Sequence, residues 1–301
     1  MTLTTPPHYS VFIYGGSGSG KTTSIGVYAE WLIDTFGLRT RLYNTDGGGY
    51  DSIQNLIDVG VIELVECYRR PRAWVWLDAI SRGKVLAADG KTWVLDEARN
   101  ALFGCFAVDG LTGAGEALMS GMRDVNDSSV GGGQGMIVAQ GDYRFGTNTI
   151  PHFGLAQGAL MDAIGNTQRL PGVSIWTAME SRGSEDSTKA ALVGPRGPGK
   201  AMTDDLPRNV TYTFRIVNHV ELNRTVHRLY WDDFADPSAP GAKCLGNSRL
   251  PLGADVTQNY VEPANIAEAI KIFDEAKAKD KAAKQERWGK VVAALPPLPP
   301  L

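Results

Sequence analysis

The chain has 301 residues, with 30 Lys and Arg against 33 Asp and Glu and a formal net charge of −3 at pH 7. That balance excludes a global basic field, so any contact with nucleic acid has to come from local patches. A hydrophobic content of 43% and a charged content of 21% are those of a folded globular protein long enough for one large α/β domain with appendages.

Three cysteines (Cys67, Cys105, Cys244) and four histidines (His8, His152, His219, His227) are scattered without metal-ligand spacing. They read as ordinary thiols in a reducing compartment and not as a disulfide framework or a zinc site. No apolar run reaches the length of a membrane span, and the amino terminus shows no charged-then-apolar leader. Cytoplasmic residence and no membrane partner are expected.

The first element is a short apolar strand, Val11 to Tyr14, running into Gly15-Gly16-Ser17-Gly18-Ser19-Gly20-Lys21-Thr22-Thr23. Gly15, Gly20, Lys21 and Thr22 satisfy G-x-x-x-x-G-K-[ST] without a mismatch. In such a loop the glycines let successive N–H groups point inward at phosphate oxygens. Lys21 reaches the β- and γ-phosphates, the Thr22 hydroxyl holds Mg²⁺, and the following helix adds the positive end of its dipole. That helix is predicted from Ile25, Tyr28, Ala29, Leu32, Ile33 and Phe36, and Gly37 ends it. Residues 15–23 therefore predict a site for a nucleoside triphosphate such as ATP, with Mg²⁺.

Thr40 to Asn44 reads as a second strand, and Thr45-Asp46-Gly47-Gly48-Gly49 is a turn that frees an acid at the strand's carboxyl end, where ligands sit in open α/β sheets. A short helix over Tyr50–Val59 and a strand over Val61–Cys67 follow. Pro71–Leu86 has a mostly helical spacing of Trp74, Trp76, Leu77 and Ile80, and Asp89-Gly90 predicts a hairpin between Val85-Leu86 and Trp93-Val94-Leu95. Phe103 to Asp109 is an apolar strand ending in an acid. In a phosphate-loop protein, a buried strand next to the phosphate-binding strand carries a carboxylate at its tip to complete the coordination of Mg²⁺, and Asp109 is the candidate.

Further along, the pattern predicts a helix near Gly115–Arg123, a stretch from Asp124 to Asn148 with little to pack, and a helix through Phe153, Ala156, Leu160, Ala163 and Ile164. Val173–Ala178 reads as a buried strand and Glu180–Thr203 as a second irregular stretch. Val210–Val217 and Thr225–Trp231 read as a hairpin with its turn near Leu222-Asn223. From Pro263 the composition changes to a modest apolar stripe (Ile266, Ala269, Ile270, Phe273, Ala276), a Lys-, Ala- and Glu-rich helix, and a Pro-rich tail. The expected organisation is a nucleotide-binding domain over 1–262 and a carboxy-terminal helix with tail over 263–301.

This order of elements resembles the core of RecA-like ATPases, in particular the compact bacteriophage-encoded RecA-like or single-strand-annealing ATPases, over about residues 10–252. The resemblance implies a RecA-like phosphate-loop core, in which a mostly parallel twisted sheet is flanked by helices and followed by the late hairpin. It implies that Asp46 stands where the family has an acid that activates the attacking water. Here that acid is one methylene shorter than the usual Glu, which leaves slower hydrolysis or a structural Asp46 in a glycine turn as alternatives. It implies that Thr177 stands where the family senses the γ-phosphate, although Ala178 and Met179 follow where Gln or His is common. Pro198-Gly199-Lys200-Ala201-Met202 and Leu206-Pro207 resemble the segment that enters the late strands. Lys243 and Arg249 resemble the basic region that reaches a neighbour's nucleotide in a ring or filament, with surface charges the alternative.

The two irregular stretches fall where such proteins place DNA-facing loops. They carry Arg144, Arg182, Lys189, Arg196 and Lys200, with Arg123 at the border of the first, and Tyr143 and Phe145 for stacking on single strands. The reading implied is an oligomeric ATPase acting in phage DNA recombination, single-strand annealing or replication, with single-stranded DNA as a partner. A packaging or virion-assembly motor, a nucleotide-dependent scaffold that does not hydrolyse, and a small-molecule kinase are the alternatives.

Overall fold

β1 (Ser10–Gly15) alternates between two cores. Val11 and Ile13 face one apolar cluster, Phe12 and Tyr14 face the other, and all four are fully buried. A strand apolar on both faces belongs at the centre of a sheet covered by helices on both sides. The computed structural model describes residues 8–68, 70, 72–124, 138–140, 143–145, 150–183, 192–222, 224–231, 243–246, 248–250, 256 and 259–293.

After β1 come α1 (Lys21–Phe36), β2 (Arg39–Asn44), a 3₁₀ turn, α2 (Gln54–Asp58), β3 (Ile62–Glu66) and α3 (Ala73–Ser81). The hairpin β4 (Val85–Leu86) and β5 (Trp93–Val94) pairs as its Asp-Gly turn predicts, and α4 (Glu97–Asn100) leads into β6 (Phe103–Asp109). Next are α5 (Leu111–Asp124), β7 (Val138–Gln140), β8 (Tyr143–Phe145), α6 (Ile150–Thr167) and β9 (Val173–Gly183). The chain then runs through β10 (Leu192–Pro195), α7 (Lys200–Asp205), β11 (Tyr212–Glu221), β12 (Arg224–Trp231), β13 (Lys243–Cys244), β14 (Tyr260–Val261) and α8 (Ile266–Ala293).

The main sheet has the order β14-β12-β11-β1-β9-β6-β2-β3. Every pairing from β11 through to β3 is parallel, and β12 and β14 add antiparallel strands at one edge. The chain leaves β1 for β2, three places away, returns through β6 and β9, and then crosses to β11 on the other side. β1 thus marks a topological switch, and the crevice at the carboxyl ends of the strands opens there. The fold is α/β with a mostly parallel mixed sheet flanked by helices, compatible with a phosphate-loop or Rossmann-like core.

Four expectations need correction. The strand carrying Asp109 does not lie beside β1, because β9 pairs with both and separates them. The stretch 124–148 contains a small antiparallel pair, β7 with β8, and its residues 125–137, 141–142 and 146–148 lie outside the described residues. Glu180–Thr203 is less irregular than its composition suggests, since β9 continues to Gly183, β10 pairs back on it and α7 follows. Finally, α5 starts at Leu111, four residues before the expected start.

The expected division at 262/263 runs through one packed face. Ile266, Ala269, Ile270 and Phe273 of α8 are buried in the same cluster as α1 and the sheet, and the Phe273 ring lies 5.1–6.0 Å from Trp231, Tyr212 and Phe214. The Pro-rich tail, 294–301, lies outside the described residues. Among the described residues no helix is long and apolar enough to cross a membrane.

Candidate functional site

At the carboxyl end of β1 the chain turns through an open glycine-rich loop into α1. Gly16, Ser17 and Gly18 are exposed, whereas Ser19 is buried. Gly20 caps α1 at φ 93°, ψ 19°, a left-handed conformation that gathers the first helical N–H groups on the loop's concave side. Lys21 folds back across the loop, and its Nζ donates to Gly15 O at 3.1 Å and Gly16 O at 2.8 Å, with Met179 Sδ at 3.6 Å. Burial holds the Lys21 ammonium below its ordinary pKa, against the opposing pull of Asp109, Asp46 and Glu180.

Thr22 and Asp109 meet. Thr22 Oγ1 donates to Asp109 Oδ2 at 2.6 Å, joining the start of α1 to the tip of β6 across 87 residues of sequence. The other oxygen of that carboxylate accepts from Thr177 Oγ1 at 2.5 Å, and the same hydroxyl accepts from Gly110 N at 3.0 Å. Thr177, on the strand between β1 and β6, therefore aims Asp109 across the gap that strand creates, and its single proton is committed to that task. Thr23 turns away, with Oγ1 donating to Ser52 Oγ at 3.1 Å.

Asp46 sits two residues beyond Asn44, which pairs with Asp109 in the sheet. Its Oδ1 accepts from Gly113 N at 2.7 Å, near the start of α5, where a carboxylate also meets the positive end of the helix dipole. The residue keeps exposed surface at the crevice while its carboxylate is wedged between Gly110 and Gly113. That enclosure and the nearby charge of Asp109 raise the Asp46 pKa, while Gly113 N–H and Lys21 oppose the rise.

A Cβ on Gly110 would lie 2.2 Å from Asp46 Cγ, and one on Gly113 would lie 2.2 Å from Asp46 Oδ1. With φ +110° as well, Gly110 tolerates no side chain, and Gly110→Ala is expected to destabilise the protein by about 2–4 kcal/mol, read from urea denaturation. A stability equal to wild type would show that Asp46 is not held as described.

The site includes residues with no local motif to announce them. Met179 lies beside Lys21, and its N–H donates to Thr112 Oγ1 at 3.1 Å. Thr45 Oγ1 donates to Gly110 O at 2.6 Å and clamps β2 onto the turn after β6. Glu180 is bound by Arg215, Nε at 2.9 Å and Nη2 at 2.8 Å, in a nearly buried pair.

Arg249 does not join this cluster. Lys243 lies in the strand that pairs with β10, level with Gly183 at the end of β9. The Arg249 guanidinium donates to Arg208 O at 2.8 Å and Val210 O at 3.3 Å, before the start of β11 and so at the opposite end of the sheet from the loop. Of the cations expected to face DNA, Arg196 lies 3.6 Å from Glu116 with both side chains exposed, and Lys189 lies outside the described residues.

The residues present fit a triphosphate and a divalent cation. Ser19 Oγ is buried without a hydrogen-bond partner at the base of the loop, and Thr22 and Asp109 present hard oxygen donors at one point. Among the described residues no group of three or more His, Cys, Asp or Glu could hold a metal by itself. The donor set suits a cation that takes its remaining oxygens from water and phosphate. Neither the protein-family models nor the curated proteins contain a match to this chain.

Proposed function

We propose that this protein binds ATP with Mg²⁺ at the loop Gly15–Thr23 and hydrolyses it, as a RecA-like ATPase of the bacteriophage type acting on DNA in recombination, single-strand annealing or replication. The observation that carries the nucleotide part is the hydrogen bond from Thr22 to Asp109, because two motifs remote in sequence converge at the helix start where phosphates bind. Lys21 and the loop N–H groups would bind the β- and γ-phosphates. Mg²⁺ held by Thr22 and Asp109 would neutralise phosphate charge and polarise the terminal phosphoryl group.

Asp46 would orient and deprotonate a water, since it keeps exposed surface at the crevice beside the strand tip that carries Asp109. The DNA part and the supply of Lys243 or Arg249 to a neighbour's site rest on the resemblance alone. A second reading, a nucleotide-dependent scaffold that does not hydrolyse, draws on the bond from Gly113 N to Asp46, which gives that carboxylate a structural use.

Phosphate release from ATP by the purified protein, measured with and without single-stranded DNA, separates these readings. Turnover that requires Mg²⁺ and rises with DNA is the expected result. Saturable ATP binding without turnover would favour the scaffold. Turnover indifferent to DNA, with no retention of DNA in a gel, would remove the recombination reading.

A further inference from the structure

The hairpin β11–β12 reaches the loop from the far side of β1. Asn218 and His227 are directly paired across its two strands. Asn218 Nδ2 donates to Gly18 O at 3.1 Å, and Asn218 Oδ1 lies 2.7 Å from His227 Nδ1. With the amide nitrogen used as donor, the amide oxygen is the acceptor, so the hydrogen-bond network puts the imidazole hydrogen on Nδ1. The His227 ring closes the arrangement beneath Gly20, where a Cβ would stand 3.2 Å from ring atoms.

We infer that Asn218 and His227 are positioning residues for the phosphate loop, fixing the peptide between Gly18 and Ser19 so that its N–H is presented to a phosphate; this rests on the nucleotide reading above. In a trans peptide the carbonyl and the N–H point in opposite directions. Drawing Gly18 O outward to Asn218 therefore turns the Ser19 N–H to the concave side. There its protein partner is Gly16 O at 3.3 Å, a long bond easily exchanged for a phosphate oxygen. His227 orients the Asn218 amide, and a glycine-rich loop with few other restraints gains its binding geometry from this contact before a ligand arrives. Because β11 is in register with β1 over five residues, the pair is mounted on the central sheet and not on a loose segment.

The test is the affinity for ATP with Mg²⁺, measured by fluorescence of a labelled ATP, alongside the melting temperature of the nucleotide-free protein. Asn218→Leu is expected to weaken binding about fivefold to tenfold, the loss of one useful hydrogen bond, with little change in melting temperature because Asn218 is exposed. His227→Phe, which leaves the amide unheld, is expected to weaken binding about threefold. His227→Asn, whose Nδ2 sits where the ring Nδ1 does and can donate to Asn218 Oδ1, is expected to restore it to within about twofold. Unchanged affinity in Asn218→Leu, or a loss in His227→Phe that His227→Asn does not recover, would overturn the inference while leaving ATP binding intact. A wild-type protein that binds no ATP would remove the nucleotide reading itself.

Discussion

Replacing Lys21 with alanine is expected to weaken ATP binding about 30-fold to 1000-fold, the cost of losing charge-assisted hydrogen bonds worth about 2–4 kcal/mol in all. The structure gives a reason for the upper part of that range. The ammonium is buried enough to lower its pKa, and its hydrogen bonds go to two carbonyls of its own loop. An arriving triphosphate offers it full anionic partners in a poorly solvated place, where each contact counts for more than at the surface. The nucleotide-free variant is expected to fold normally, because the loss of two neutral acceptors is offset by removal of an under-solvated charge. Equilibrium binding and a melting curve read both halves, and an affinity equal to wild type would contradict the assignment of the loop.

Asp46→Asn is expected to reduce ATP turnover about 10²- to 10⁴-fold, the range for removing a general base, while leaving ATP affinity close to wild type. The amide keeps an oxygen that can accept from Gly113 N, so the local geometry survives. Two pH effects accompany this change. The proposed base has to be ionised to act, so wild-type turnover is expected to fall as Asp46 becomes protonated at low pH; the variant has no such limb.

For stability the sign is opposite to that of a salt-bridged carboxylate. Because the folded-state pKa lies above the unfolded value, the folded protein holds the extra proton between the two. Stability is therefore lost as pH rises from the unfolded pKa through the folded one. At neutral pH the wild type carries that loss, so the nucleotide-free Asp46→Asn protein is expected to melt higher than wild type. Undiminished turnover in the variant would reduce Asp46 to the glycine-turn role.

The parts of this arrangement that a reader of the sequence could find are those written locally. The loop is nine consecutive residues, and Asp109 is an acid closing an apolar run. Asn218 carries no such mark: its bond to Gly18 spans 200 residues and depends on β11 lying beside β1. The intervention of β9 is equally non-local, because strand order follows from how helices cover the sheet and not from any one strand's composition.

Glycine obscured the start of α5. Gly113 and Gly115 lower helix propensity, yet Asp46 occupies the space a Cβ would need at one, and Pro198 Cδ would lie 3.1 Å from a Cβ at the other. In β10, Leu192-Val193-Gly194-Pro195 offers two apolar residues before a glycine and a proline, too little for a strand signal without its partners β9 and β13. The apolar stripe of α8 was visible, but its burial against Tyr212, Phe214 and Trp231 became apparent only with the sheet in place.

In the proposed complex the N–H groups between Gly16 and Thr23 hold a triphosphate. The most direct measurement follows their amide resonances in isotope-labelled protein as ATP and Mg²⁺ are added. Saturable shifts concentrated in residues 16–23, with Asp109 and Gly110 responding beside them, are the expected result. Shifts absent from that loop, or centred elsewhere in the chain, would contradict it.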